Sequence, residues 1–187
     1  MKLIKELLES NQGTITMYHG GRGNSSDFRE VKGNKSGSME YGPGLYLTNY
    51  YETAQKYSKG GGKIQKITFA RGTDISTVVV EKAKVIKFIT DTRMTNKKLL
   101  LTDIQRYGET VKLEYVINLM VNHDCLTPGV SATVRQFVID CGADYSLHKG
   151  YAGWGDQHIA VIFNPKVIKK VEIVSPKDTI EWVLPAP

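Results

Sequence analysis

The chain has 187 residues, 41% of them hydrophobic, which is enough for one well-buried core and too few for two ordinary domains, so a single domain over residues 1–187 is expected. Lys and Arg outnumber Asp and Glu by 25 to 19, a formal charge of +6 that suits an anionic partner, nucleotide or nucleic acid. No run approaches the roughly eighteen apolar residues of a membrane span, residues 1–10 lack a signal-peptide core, and two cysteines without a paired motif fit a reducing compartment; a soluble, cytoplasmic protein with no membrane partner is expected.

Leu3, Ile4, Leu7 and Leu8 recur at helical spacing among Lys2, Lys5 and Glu6 and predict a short amphipathic opening helix. Residues 14–19 alternate β-branched, polar and aromatic side chains, which predicts a strand delivering His19 to its end. Residues 20–38 are rich in Gly, Ser and Asn, with Phe28 and Val31 as the apolar anchors, and read as a long loop carrying Arg22, Arg29, Lys32 and Lys35. Gly60-Gly61-Gly62 reads as a turn and 63–70 as a strand. That glycine run opens no helix in Gly-x-Gly-x-x-Gly order, and no Gly-Lys-Ser or Gly-Lys-Thr occurs, so Rossmann and P-loop readings fail.

Val85, Ile86, Phe88 and Ile89 suggest a further strand. Leu113, Val116, Ile117, Met120 and Val121, and then Val130, Val134, Phe137, Val138 and Cys141, fall at helical periods, and residues 96–106 read as another helix. Together they predict a helical insertion over about residues 95–141 between sheet elements. Cys125 and Cys141 lie in these helical-looking segments and read as buried, inert thiols. His19, His123, His148 and His158 show no ligand spacing with each other or with the cysteines, so no metal is expected. Residues 143–151 resume strand character after a Gly-Ala-Asp-Tyr turn in which Asp144 reads as structural. A glycine-rich turn carries Trp154, as substrate platform or loop anchor. The apolar run 158–163, closed by Asn164-Pro165, and the run 167–174 predict two last strands. Strands at both ends with helices between them imply an α+β fold.

Tyr18-His19-Gly20, then Gly42-Pro43-Gly44-Leu45-Tyr46-Leu47-Thr48, then Ala54-Gln55-Lys56-Tyr57 place His, Tyr and Tyr in order around glycine-rich strand ends. This pattern resembles the ADP-ribosyltransferase superfamily, in its poly-ADP-ribose-polymerase-like and diphtheria-toxin-like branch of His-Tyr-Glu type, and the interval from Tyr46 to Tyr57 is similar to that branch's. The resemblance implies split mixed β-sheets with an NAD cleft, and NAD as the substrate. It assigns His19 to the adenosine ribose, Gly20 to the nicotinamide amide, Tyr46 and Tyr57 to the faces of the nicotinamide ring, Arg22 to the pyrophosphate and Thr48 to the cofactor-binding strand. Ala54 stands where the branch often has a serine.

The family's third catalytic position is a glutamate on a late strand of the form Glu-x-Val-Val-Phe-Asn-Pro. Here a strict count back from Phe163-Asn164-Pro165 reaches Ile159, which cannot hydrogen-bond a ribose. Side chains alternate along a strand, so Gln157 shares the face of Ile159; it is the favoured third residue, with Asp156 next and His158 after it. A glutamine cannot offset oxocarbenium charge as a carboxylate does, so transfer of single ADP-ribose units is expected. The resemblance thus implies a mono-ADP-ribosyltransferase acting on a macromolecular acceptor, RNA, DNA or protein, in a toxin or phage-defence setting with a possible antitoxin partner. The alternatives are a catalytically weakened NAD- or nucleic-acid-binding module and an RNA 2′-phosphotransferase.

Overall fold

The computed structural model describes residues 13–21, 39–58, 63–149 and 157–175. The foreseen opening helix, the loop from Arg22 onward, the Gly60-Gly61-Gly62 turn and the turn carrying Trp154 lie outside the described residues. Within them are eight strands: β1 (Thr14–Gly21), β2 (Leu45–Thr48), β3 (Lys63–Ala70), β4 (Val79–Glu81), β5 (Thr110–Lys112), β6 (Tyr145–Lys149), β7 (His158–Ile162) and β8 (Ile168–Val174). Five helices accompany them: α1 (Tyr51–Tyr57), α2 (Lys82–Asp91), α3 (Lys97–Gln105), α4 (Leu113–Asn122) and α5 (Pro128–Asp140). The protein is α+β, as its strand-helix-strand order predicts.

Six strands form one sheet in the order β6-β7-β2-β1-β3-β8. Every neighbouring pair is antiparallel, which corrects the expected mixed sheet. The connection from β6 to β7 is too short for the helical crossover that parallel neighbours require. Only an isolated bridge between Asp74 and Tyr145 runs parallel among the described residues. The junctions are unequal: β1 and β3 are registered from Thr14↔Ala70 to Gly21↔Lys63, whereas β1 and β2 share the single pair Tyr18↔Thr48. The sheet is therefore two half-sheets, β6-β7-β2 and β1-β3-β8, meeting at one point.

Alternation along these strands sorts the side chains. Ile15, Met17, Leu47, Ile67, Phe69, Ala160 and Ile162 share one apolar cluster, while Tyr18 and Ile64 pack with Tyr51 and Ala54 of α1. A larger cluster belongs to the helical body, where Val85, Ile89, Leu100, Ile104, Leu113, Val116, Met120, Val134 and Val138 are fully buried and meet Val161 and Phe163 of the sheet side.

The predicted strand around residues 85–89 is helix instead. Val85 and Ile89 are the two buried positions, an i,i+4 pair, and Phe88 stacks on Phe137 at 3.9 Å between centroids, so the β-branched composition yields to helical spacing. A helix over Lys82–Asp91 thus precedes residues 95–141. The short ribbon β4-β5, pairing Val80 with Val111, was not foreseen. Cys125 lies after α4 in the connection to α5, and Cys141 caps α5, so neither is inside a helix. Cys125 is fully buried and Cys141 half-buried; burial raises both thiols above the usual range. Among the described residues no helix is long and apolar enough to cross a membrane.

Candidate functional site

Next to the one registered pair of the junction, Tyr18↔Thr48, the His19 side chain reaches from β1 to β2. Its Nδ1 lies 2.9 Å from the carbonyl oxygen of Tyr46. A carbonyl only accepts, so Nδ1 carries the proton and donates. Burial holds His19 below the ordinary histidine pKa, with the bond to Tyr46 opposing part of the shift, so the ring is neutral near pH 7 and Nε2 keeps its lone pair. A side chain thus adds a bond beside the one registered pair, and it presents an acceptor at the strand end.

Glycines at this end answer to close approach. An ideal Cβ on Gly20 would stand 1.6 Å from the carbonyl oxygen of Ala54 in α1, and one on Gly21 would stand 2.5 Å from Nε2 of His19. Only glycine at 20 lets α1 sit against the end of β1, and only glycine at 21 leaves room for the His19 ring. Ala54 is buried in this contact, so the small residue at 54 serves helix packing. Tyr57 follows Ala54 by three residues and shares its helix face, yet it is 68% exposed. On β2, Gly44 is held to glycine by Val161 Cγ1 at 2.5 Å and the Ile162 carbonyl at 2.6 Å from its ideal Cβ.

Tyr46 is used twice. Its main chain takes the His19 proton, while its hydroxyl accepts from the Tyr41 amide at 3.0 Å and donates to the Gly42 carbonyl at 2.9 Å. Burial drives the phenol far above its usual pKa, so the hydroxyl stays protonated. Its ring packs against the helical apolar cluster and lies 6.5 Å from the ring of Tyr41. Residues 39–44 form a strap over this face. Met39 Sδ accepts from the Ser131 hydroxyl at 3.2 Å, and an ideal Cβ on Gly42, at φ +99°, would meet Ile117 at 2.7 Å.

The start of β7 joins the end of β2 through buried polar groups. Gln157 is 5% exposed, and its amide donates to the Thr48 hydroxyl at 3.5 Å. Asn49 Oδ1 accepts from the His158 amide at 2.7 Å, and the Asn49 amide donates to the His158 carbonyl at 3.3 Å. Ile159 pairs with Thr48 across the strands, so Gln157, two residues earlier, lies on the Thr48 face. His158 alternates to the opposite face.

The structure therefore brings His19, Gly20 and Tyr46 together at the seam and sets Thr48 and Gln157 in contact beside it. Tyr57 is on the adjoining helix face. Arg22 and Asp156 lie outside the described residues. Asp144 is structural, as read: its carboxylate accepts from the Thr73 amide and the Asn164 side chain at 2.9 and 2.7 Å. His123, which had no evident partner in the sequence, binds Asp103 through Nε2 at 2.8 Å. Among the described residues no group of three or more His, Cys, Asp and Glu could hold a metal ion.

Sequence reasoning missed Tyr41, Ser146 and His148. Ser146 and His148 alternate on one face of β6, and the His148 ring stacks on Tyr41 at 4.2 Å between centroids and 24° between planes. The alternation in Tyr145-Ser146-Leu147-His148 was the available signal. Comparison with protein-family models, with characterised proteins and with solved structures returned no match.

Proposed function

We propose that the chain is a mono-ADP-ribosyltransferase of the His-Tyr-Glu type, cleaving NAD at its nicotinamide bond and transferring ADP-ribose to a macromolecular acceptor. The observation that carries this reading is the His19 ring across the seam, tied by Nδ1 to Tyr46. It leaves a fixed acceptor, Nε2, where an adenosine ribose hydroxyl would donate. The Gly20 backbone would take the nicotinamide amide, the place of its missing side chain being filled by α1. The Tyr46 and Tyr57 rings would flank the pyridinium. The N-glycosidic bond breaks with its electron pair passing to the nicotinamide nitrogen, which leaves as neutral nicotinamide. The ribose anomeric carbon takes up positive charge until the acceptor oxygen or nitrogen attacks it and sheds a proton. Gln157 would hold the reacting ribose by hydrogen bonds alone, which favours single transfers over polymer synthesis. A toxin or phage-defence role fits such an activity.

Incubating pure protein with NAD and assaying free nicotinamide tests this directly. Release that disappears in His19→Ala and Tyr46→Ala supports the reading. Labelled NAD in a cell lysate, followed by separate protease and nuclease digestion, then identifies the acceptor class. A second reading has its own observation: Gln157 is buried and bonded to Thr48 and carries no charge. It favours a module that binds NAD without cleaving it, and NAD binding without nicotinamide release would select it.

A further inference from the structure

On the face of the sheet that carries Tyr46 and Thr48, two buried polar atoms have no hydrogen-bond partner: Ser146 Oγ and His148 Nε2. Ser146 is 1% exposed and opposes Val161; His148 opposes Ile159. A buried hydroxyl or imidazole nitrogen left unpaired costs roughly 1–3 kcal/mol, so their occurrence two residues apart on one face calls for a group that satisfies them. The Tyr41 ring already lies flat on His148, which shows that this surface receives a planar ring. Gln157 is the diagonal neighbour of His148 across β7, within the roughly 7–8 Å of such pairs.

We infer that Ser146 and His148 form the floor of an acceptor subsite that takes a nucleobase of single-stranded nucleic acid, with Tyr41 as the ring the base displaces. This rests on the transferase reading, since Gln157 there holds the reacting ribose and the acceptor must arrive beside it. A nucleobase supplies what the floor lacks: a flat face to stack on the imidazole, and an edge with donors and acceptors for Ser146 Oγ and His148 Nε2. The chain's charge of +6 favours an anionic polymer over an acidic-poor peptide. No bond is made or broken at this subsite; its work is to hold the acceptor.

The test is fluorescence anisotropy of a labelled twelve-residue single-stranded RNA of mixed sequence with the full chain, in the absence of NAD, so that its outcome does not depend on whether NAD is cleaved. His148→Phe keeps a ring and removes both nitrogens; it is expected to weaken binding about tenfold, the loss of one well-made polar contact. Ser146→Ala is expected to weaken it about threefold while thermal stability holds or rises, since an unpaired buried hydroxyl is removed. Tyr41→Ala is expected to tighten binding, the opposite sign, which a merely structural role for all three would not produce. If His148→Phe does not fold, His148→Gln, with a smaller predicted loss, replaces it. Unchanged binding in both floor variants, weakening in Tyr41→Ala, or no binding of the RNA at all would each overturn the inference.

Discussion

In the helical body, α2 to α5 bury Val85, Ile89, Leu100, Leu113, Val116 and Met120, side chains with no polar atom to satisfy; beside the seam, where β2 meets β7, Thr48, Asn49, Gln157 and His158 are buried with hydrogen bonds between them. Ser131 is the buried polar side chain of the body among the described residues, and its hydroxyl is shared between the Thr127 carbonyl at the N-cap of α5, at 2.7 Å, and Met39 Sδ, at 3.2 Å. The body is stabilised by transfer of apolar surface from water, which is insensitive to small shifts in direction. Hydrogen bonds at the seam are directional, net worth only about 1 kcal/mol each, and costly when broken in place. Among the described residues the two regions therefore differ in kind: apolar contacts fill the body, and directional hydrogen bonds join β2 to β7 beside the candidate site.

Several substitutions can break or sharpen that contrast. Leu113→Ala in the fully buried core of the body is expected to cost about 2–5 kcal/mol in urea unfolding while nicotinamide release per folded molecule is retained. His19→Ala should do the reverse, lowering nicotinamide release on the order of 10²-fold, equivalent to about 2.7 kcal/mol of activation free energy, with a far smaller change in the unfolding midpoint. Equal stability losses at 113 and 19 would erase the distinction. Gln157→Ala is expected to reduce release about tenfold, whereas Gln157→Glu, which restores a carboxylate beside Thr48, should raise transfer.

A smaller effect comes from pH. Burial holds both His19 and His148 below the ordinary histidine value of 6.5. As pH falls below that value the unfolded chain takes up protons that the native state refuses, so stability drops with falling pH until the lower native values are passed; above 6.5 the two rings contribute no pH dependence. Urea midpoints at pH 5.0 and 7.5 should differ in this direction, and His148→Phe should flatten the slope. At the far end of the scale, Asp91→Asn removes an exposed i,i+4 contact to Lys87 and should leave the midpoint unchanged.

Much of this architecture could be read from residues alone where period and punctuation agreed. The apolar spacing of Leu113, Val116, Ile117 and Met120 gave α4, and Pro128 at the first turn gave the start of α5. Where they conflicted the reading failed: Val85, Ile86 and Ile89 are β-branched, and tertiary packing against Phe137 overrode that preference. The antiparallel order of the sheet depends on which strands meet, a non-local fact with no trace in any window of sequence. At the candidate site, His19, Gly20 and Tyr46 were singled out by the resemblance, and the structure places them side by side. Tyr41, Ser146 and His148 were not legible, because their relation is made by a strap that folds back over the sheet.

A single shared rung between half-sheets has a mechanical consequence. The ladder between β1 and β2 contributes the one pair Tyr18↔Thr48, so the remaining hold between the halves comes from the His19 imidazole on the Tyr46 carbonyl and from α1, which follows β2 and packs by Ala54 against Gly20 of β1. The imidazole of His19 is thus a fastening between the halves as well as a candidate contact for a ligand.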